Sequence, residues 1–253
     1  MKKQLNKFLF LILAFLIFSS GKAQKNDPHS LYSELDKTAP VNTLTTNEKD
    51  KGWQLLFDGK STTGWHGYNL KVFPDCWTIE DGTFTMTTRG RAESQDIITD
   101  KVYKSFAFSV EYKLTKAANS GIIYQVAEDP KYKFPYETGP EFQIMDQDNW
   151  PDTLETTQIC GANYAMYPPK SKPYKPLGEW NHILLVVNGN NVTQILNGEI
   201  VVEFVKNSEE WTKLRNSGKW ANYPDYGKYE DGHISLQNHG TQVFFRNIKI
   251  KEL

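Results

Sequence analysis

The sequence predicts an all-β protein, a sandwich or barrel of short antiparallel strands, from three observations. Runs rich in Val, Ile, Phe, Tyr and Trp recur from Gly52 onward. Turn signals separate them, among them Asp58-Gly59, Asp81-Gly82, Asn188-Gly189, Asn197-Gly198 and Asp231-Gly232. Several runs alternate polar with apolar residues, as in EFQIM, Glu141 to Met145. Short strands with regular turn punctuation and a period of two belong to antiparallel β architecture.

The elements follow in order. Lys2, Lys3 and Lys7 precede an apolar run from Phe8 to Phe18 and small residues from Ser19 to Ala23. This is the pattern of a secretory leader over residues 1–23, so an exported protein, periplasmic or secreted, is expected. The run is shorter than the roughly 18–20 residues a bilayer-spanning helix needs, and no membrane span is expected after cleavage. The leader holds four lysines and no acid, so the formal charge of −1 becomes −5 without it. That balance argues against nucleic acid as a partner. Residues 24–50 are polar with little aliphatic periodicity and read as an N-terminal tether, partly disordered. Residues 51–253 read as one domain.

Within that domain HILLVVNGNNVTQILNGEIVVEF predicts a three-stranded meander, its turns made where Asn188-Gly189 and Asn197-Gly198 adopt positive φ. Asn207 to Gly218 carries acids first and bases later and ends on glycine, which predicts one short helix with Asn207 and Glu210 as a capping box. PPKSKPYKPLGEW, from Pro168, is too rich in proline for a central strand and predicts a surface loop. Cys76 and Cys160 allow either one disulfide or two buried thiols. No Cys/His cluster has the spacing of a zinc site.

Three candidate strands carry unusual polar faces. Tyr124 alternates with Ile123 and Gln125 in one, Glu141 and Gln143 share a side in another, and His233, Ser235, Gln237 and His239 share a side in the third. An antiparallel sheet commonly leaves one face in water. A merely wet face, however, carries Lys, Glu and Thr, whereas Gln, His, Ser and Glu among aromatic rings suit a carbohydrate: planar groups pair with hydroxyls and rings pack on C–H faces.

Glu141, Gln143 and Asp146 are spaced i, i+2, i+5. The spacing resembles the E-x-D-x-x-E strand of jelly-roll endoglucanases, in which a β-bulge turns the last acid onto the face of the first. A retaining glycosidase needs its carboxyls about 5–5.5 Å apart. Five strand residues span about 16 Å, which argues against that mechanism. His239, before Gly240 at a strand end, is the histidine best placed for function. Arg246 needs a carboxylate or solvent. Trp53, Trp77 and Trp180 at strand starts are expected in the core, while Trp65 and Trp150, in loops, are the candidates for stacking on a ligand.

From Gly52 to Leu253 the chain resembles the 3-keto-disaccharide hydrolase family, long catalogued as a domain of unknown function and common in secreted proteins of glycan-degrading bacteria. The motifs that carry the resemblance are GWQLLFDGKSTTGW, WTIEDGTF, NSGIIYQ, GPEFQIMD, GEWN, NGE and GHISLQNHGTQVFFRNIKIKEL, in family order. The resemblance implies a concanavalin A-like jelly-roll sandwich of two antiparallel sheets, with a sugar on the concave one. It implies 3-keto sugars or glycosides as substrates, supplied by a partner oxidoreductase. A C3 ketone acidifies the C2 proton, so one base can start β-elimination of the C1 substituent, and water addition completes a net hydrolysis.

Carried over residue by residue, the resemblance implies Glu141 as the proton-transfer residue, Asp146 as its assistant and His239 as the group that polarises or binds the C3 ketone. Asn119, Tyr124, Gln143 and Gln237 would bind hydroxyls, and Arg246 would be an oxyanion stabiliser or a structural ion pair. Gln125 stands where many relatives carry arginine and Trp150 where histidine is common, which directs both toward the substrate. No cofactor is firmly implied; Glu141, Asp146 and His239 could together hold a divalent cation, though their spacing does not demand one. The competing readings are a non-catalytic carbohydrate-binding module on the same fold and a conventional glucanase-like glycosidase.

Overall fold

The structure, a computed structural model, describes residues 26–87 and 90–253. The leader expected over residues 1–23 lies outside the described residues. In chain order the strands are β1 (Gln54–Leu55), β2 (Trp65–Gly67), β3 (Trp77–Glu80), β4 (Thr83–Met86), β5 (Ile97–Thr99), β6 (Phe106–Leu114), β7 (Asn119–Val126), β8 (Glu141–Met145), β9 (Asn181–Asn188), β10 (Asn191–Leu196), β11 (Glu199–Val205), β12 (His233–Leu236) and β13 (Val243–Glu252). They build a jelly-roll sandwich of two antiparallel sheets. The larger runs β11-β10-β9-β6-β13-β4-β3, with β1 also paired to β13; the smaller runs β2-β5-β12-β7-β8. Among the described residues no helix is long and apolar enough to cross a membrane.

Alternation decides what lies between the sheets. Phe106, Phe108, Val110 and Tyr112 of β6 face Ile122 and Tyr124 of β7 and Phe142 and Ile144 of β8 across one apolar core. Each such side chain contributes about 1.5–3 kcal/mol of burial, which pins the register, since a one-residue slip would turn the whole set outward. In β13 the inward positions are Val243 and Phe245, then Ile248 and Ile250. The parity changes because the pairing with β6 shifts between Arg246 and Lys249, with Asn247 at φ +51°.

Residues 24–50, expected as a polar tether, are instead folded from Asn26 onward. Helix α1 (Pro28–Glu34) starts with Asp27 accepting from Ser30 N at 2.8 Å and Pro28 in its first turn. Leu31 and Leu35, with Trp53, cover Ala107, Leu184, Val186 and Ile195 on the outer face of the larger sheet. Helix α2 (Thr46–Asp50) has a capping box between Thr45 and Glu48, and the buried Glu48 carboxylate also accepts from Lys249 Nζ at 2.7 Å. Leu31 and Leu35 are the segment's buried apolar anchors in this cluster, too few to register as a period.

Smaller expectations are also adjusted. The helix α3 (Glu209–Ser217) is capped by Ser208, which accepts from Trp211 N, while Asn207 stands outside it at φ +63°. The turn between β9 and β10 puts only Gly189 at positive φ, leaving Asn188 in the strand; between β10 and β11 both Asn197 and Gly198 are positive, as a type I′ turn requires. Residues 168–180 form an irregular loop. Trp53 and Trp77 are buried, but Trp180 is only half-buried, beneath the Arg246 guanidinium. Cys76 and Cys160 are separate buried thiols.

Candidate active site

The site is built on the outer face of the smaller sheet. Along β8, Phe142 and Ile144 enter the core, so Glu141 and Gln143 point the other way. Glu141 pairs with Ile123 and Gln143 with Gly121 on β7, and Gln237 N donates to Gly121 O at 3.0 Å from the far side. Gly121 therefore lies at the centre of a row from Gln143 to Gln237, and its missing side chain makes room for a carboxylate. A Cβ at this position would stand 2.3 Å from Glu141 Oε1 and 2.8 Å from its Cδ.

Asn119, Glu141, Gln143, Gln237 and His239 line one cavity of about 180 Å³, walled by Tyr136, Tyr164 and Lys219. Gln143 Nε2 donates to Gln158 O at 3.2 Å and to Asn119 Oδ1 at 3.4 Å, which fixes the amide, while its Oε1 has no donor within the described residues. Trp150 stands edge-on to His239, ring centroids 6.4 Å apart.

Two loops hold the walls. Residues 161–164 pair along the free edge of β8: Gly161 N donates to Gln143 O, Gln143 N to Ala162 O, and Tyr164 N to Glu141 O, each at 2.9 Å. This covers an edge strand and sets Tyr164 beside Glu141. Trp220 Nε1 donates to Tyr164 O at 3.0 Å and so ties in the turn Lys219–Asn222 that follows α3. Lys219 Nζ lies over the rings of Trp220, Tyr164 and Tyr136, at 4.5, 4.6 and 4.9 Å from their centroids.

The opposite end of the same face is closed. Tyr68, Ile98, Ile123, Val126 and Tyr132 form an apolar cluster over it. Ser235 is fully buried there, and His233 binds Thr99 O at 2.6 Å. Of the stripe His233, Ser235, Gln237 and His239, only the last two reach the cavity.

The structure thus brings together Asn119, Glu141, Gln143, Gln237 and His239, with Trp150 against His239. It sends five other expected residues elsewhere. Asp146 does not join Glu141: β8 pairs with β7 through five successive residues without a bulge, so the odd spacing carries Asp146 away. Its Oδ2 accepts from Ala117 N at 2.8 Å and its Oδ1 from Asn149 Nδ2 at 3.1 Å, and it borders a different cavity of about 380 Å³. Tyr124 lies between the sheets, its burial pushing the phenol well above its ordinary range. Gln125, at φ +53°, turns to the side, where its Oε1 accepts from Lys206 Nζ and its Nε2 donates to Glu230 O at 2.6 Å. Trp65 is core, with Nε1 donating to Leu56 O at 2.7 Å. Arg246 is on the larger sheet, where Glu111 accepts from its Nε at 2.7 Å and Trp180 stacks beneath it; of the two readings, the ion pair is the one formed.

Tyr136, Tyr164 and Lys219 were not foreseen. Each comes from a loop whose approach to the sheet depends on long-range packing, and none has a spacing relation to Glu141. With Asp146 removed, the proposed set for a divalent cation is broken, and among the described residues no group of three or more His, Cys, Asp or Glu converges.

Comparisons with known proteins bear on the family and the fold. Residues 52–251 match the family profile described as a 3-keto-alpha-glucoside-1,2-lyase-like domain. The chain is 31% identical over 264 residues to a 3-keto-disaccharide hydrolase of Bacteroides thetaiotaomicron, covering 92% of this chain and 91% of that protein. A crystal structure of a candidate glycosyl hydrolase from Parabacteroides distasonis is 42% identical with a TM-score of 0.80, covering 85% of this chain and all of that one. A second from the same organism is 27% identical with a TM-score of 0.65, covering 79% and 99%.

Proposed function

Since this chain belongs to the 3-keto-alpha-glucoside-1,2-lyase-like family, we propose that it is an exported enzyme that cleaves 3-keto-glycosides by elimination followed by hydration. The observation that carries this reading is that Glu141 is the single carboxylate among the residues lining the cavity. Direct glycoside hydrolysis uses two carboxylates, about 5–5.5 Å apart for retention and about 6.5–9.5 Å for inversion. Elimination from a 3-keto sugar needs one base.

Glu141 takes the C2 proton, and the electron pair moves onto the C3 oxygen as an enolate, which His239 hydrogen-bonds. The enolate collapses, the C1–O bond breaks toward oxygen, and the departing alkoxide takes a proton from water. The hydroxide so formed adds to C1 of the unsaturated ketone, and protonated Glu141, after exchanging its proton with solvent, delivers a proton to C2. Atoms balance as net hydrolysis, and Glu141 ends as it began. Asn119, Gln143 and Gln237 would hold the ring hydroxyls, with Trp150 beside His239 as a stacking surface. The ketone requires an oxidoreductase acting earlier on the same sugar.

The test compares a 3-keto-glycoside with the ordinary glycoside in deuterium oxide. Turnover of the 3-keto substrate alone, with deuterium at C2 of the product, is expected. Glu141→Gln should reduce turnover by about 10²–10⁴-fold, the range of a general base, while substrate binding persists. Hydrolysis of the unoxidised glycoside would refute the mechanism, and binding without turnover in the wild type would favour a carbohydrate-binding module.

A further inference from the structure

An enolate mechanism creates negative charge on one oxygen, and a single hydrogen bond from His239 answers only part of it. The cavity contains one side chain built as a full cation, Lys219. Its placement is imposed from several directions. Trp220 beside it is fully buried, stacked on Tyr226 with centroids 3.9 Å apart and hydrogen-bonded to Tyr164 O. Arg215 of α3 donates from Nε to Tyr226 O at 2.9 Å, joining the helix to the same stack. The backbone at 219 therefore cannot drift without opening the aromatic layer.

The ammonium is held in turn. A lysine that only covers apolar surface lays its stem there and sends its head into water. Lys219 is exposed as a residue, yet its Nζ lies within 5 Å of three ring centroids, which restricts where the charge can sit. Two of these rings, Tyr136 and Tyr164, are themselves walls of the cavity that contains Glu141.

We propose that Lys219 is a catalytic residue of this enzyme, its ammonium hydrogen-bonding the C3 oxygen and stabilising the enolate formed both in elimination and in water addition; this rests on the 3-keto-glycoside reading above. The residue forms no covalent bond and keeps its protons throughout. It acts by being a charge already in place when charge develops on the substrate.

The test isolates enolate formation. A 3-keto sugar lacking a C1 leaving group can exchange its C2 proton but cannot eliminate, so deuterium wash-in from solvent measures proton abstraction alone. Lys219→Met should slow this exchange about 10²–10³-fold, with KM for a 3-keto-glycoside nearly unchanged. Lys219→Arg, which keeps a cation over the same rings, should recover most of the rate and also serves if the methionine variant folds poorly. Wild-type exchange equalled by Lys219→Met, or an arginine variant as slow as the methionine variant despite an unchanged thermal transition, overturns the role of Lys219 alone. Absence of exchange and turnover in the wild type overturns the underlying reading as well.

Discussion

The Glu141 carboxylate lies across Gly121, in the space a side chain there would fill. A β-carbon at 121 would sit 2.3 Å from Oε1, closer than non-bonded atoms come. The backbone at 121 is not in the left-handed region, so the glycine is needed for this approach and not for its φ. The sheet and the position of the proposed base are thereby coupled through one absent methyl group.

Gly121→Ala follows from that relationship. The variant should fold, because the strand's φ at 121 is open to alanine and the obstacle is a side chain, not the backbone. Glu141 must swing aside, and a displacement of about 1 Å at a reacting group costs on the order of 10²-fold in rate. The measurement is kcat on a 3-keto-glycoside beside thermal melting. Full activity in the alanine variant would show that the observed placement of Glu141 is not the working one.

Asp146 should behave as a structural residue. It accepts from Ala117 N and Asn149 Nδ2 and shares no cavity with Glu141. Asp146→Ala removes both acceptors and leaves the half-buried Ala117 N–H without this partner, a loss of about 1 kcal/mol in stability. Urea unfolding should report that loss while kcat stays within a few-fold. A fall in kcat comparable to that of Glu141→Gln, at unchanged stability, would restore Asp146 to the chemistry.

His182 makes stability depend on pH. Burial against β6 pushes its imidazole down to about 3, and Lys37, Lys249 and Lys175 push the same way. Its Nε2 lies 2.8 Å from Ser109 Oγ, its Nδ1 is buried without a partner among the described residues, and the Tyr32 ring packs at 5.3 Å. Between pH 6.5 and about 3 the unfolded chain binds a proton here that the folded chain refuses. Stability from this residue is complete above pH 6.5 and is lost as pH falls toward 3, on the order of 5 kcal/mol over the whole window. Urea midpoints at pH 7 and pH 4 should therefore separate further for wild type than for His182→Gln. Equal separations would mean that the folded protein protonates His182 as readily as the unfolded chain does.

Much of the β framework was legible because its signals are local. Alternation over two residues marks a strand face, Asn197-Gly198 supplies the positive φ a tight turn demands, and acids before bases mark α3. The outward pair Glu141 and Gln143 is of this kind, since Phe142 and Ile144 must enter the core. So is the family, carried by motifs spread from Gly52 to Leu253.

Other features needed distant partners. The segment that carries α1 is docked by Leu31 and Leu35, packed with Trp53 against β6, β9 and β10, with no period for a reader to find. Arg246 and Glu111 are 135 residues apart and pair only because β13 lies beside β6. Gln125 left the sugar-facing row through a positive φ that its residue type does not announce. Asp146 turned on whether β8 carried a bulge, and the unbroken register with β7 decided against it.

The sequence by itself determined the strands, the sugar-suited residue types and the acid that points away from the core, because period, turn chemistry and burial preference act within a few residues. Only the tertiary structure decided which stretch of the sheet face stays open. It buried Ser235, tied His233 to Thr99 O, left Gln237 and His239 in the cavity, and brought Lys219 into the cavity of Glu141 from the turn after α3. Those outcomes depend on how loops pack on the sheet, a balance of apolar burial and edge hydrogen bonds among residues far apart in the chain.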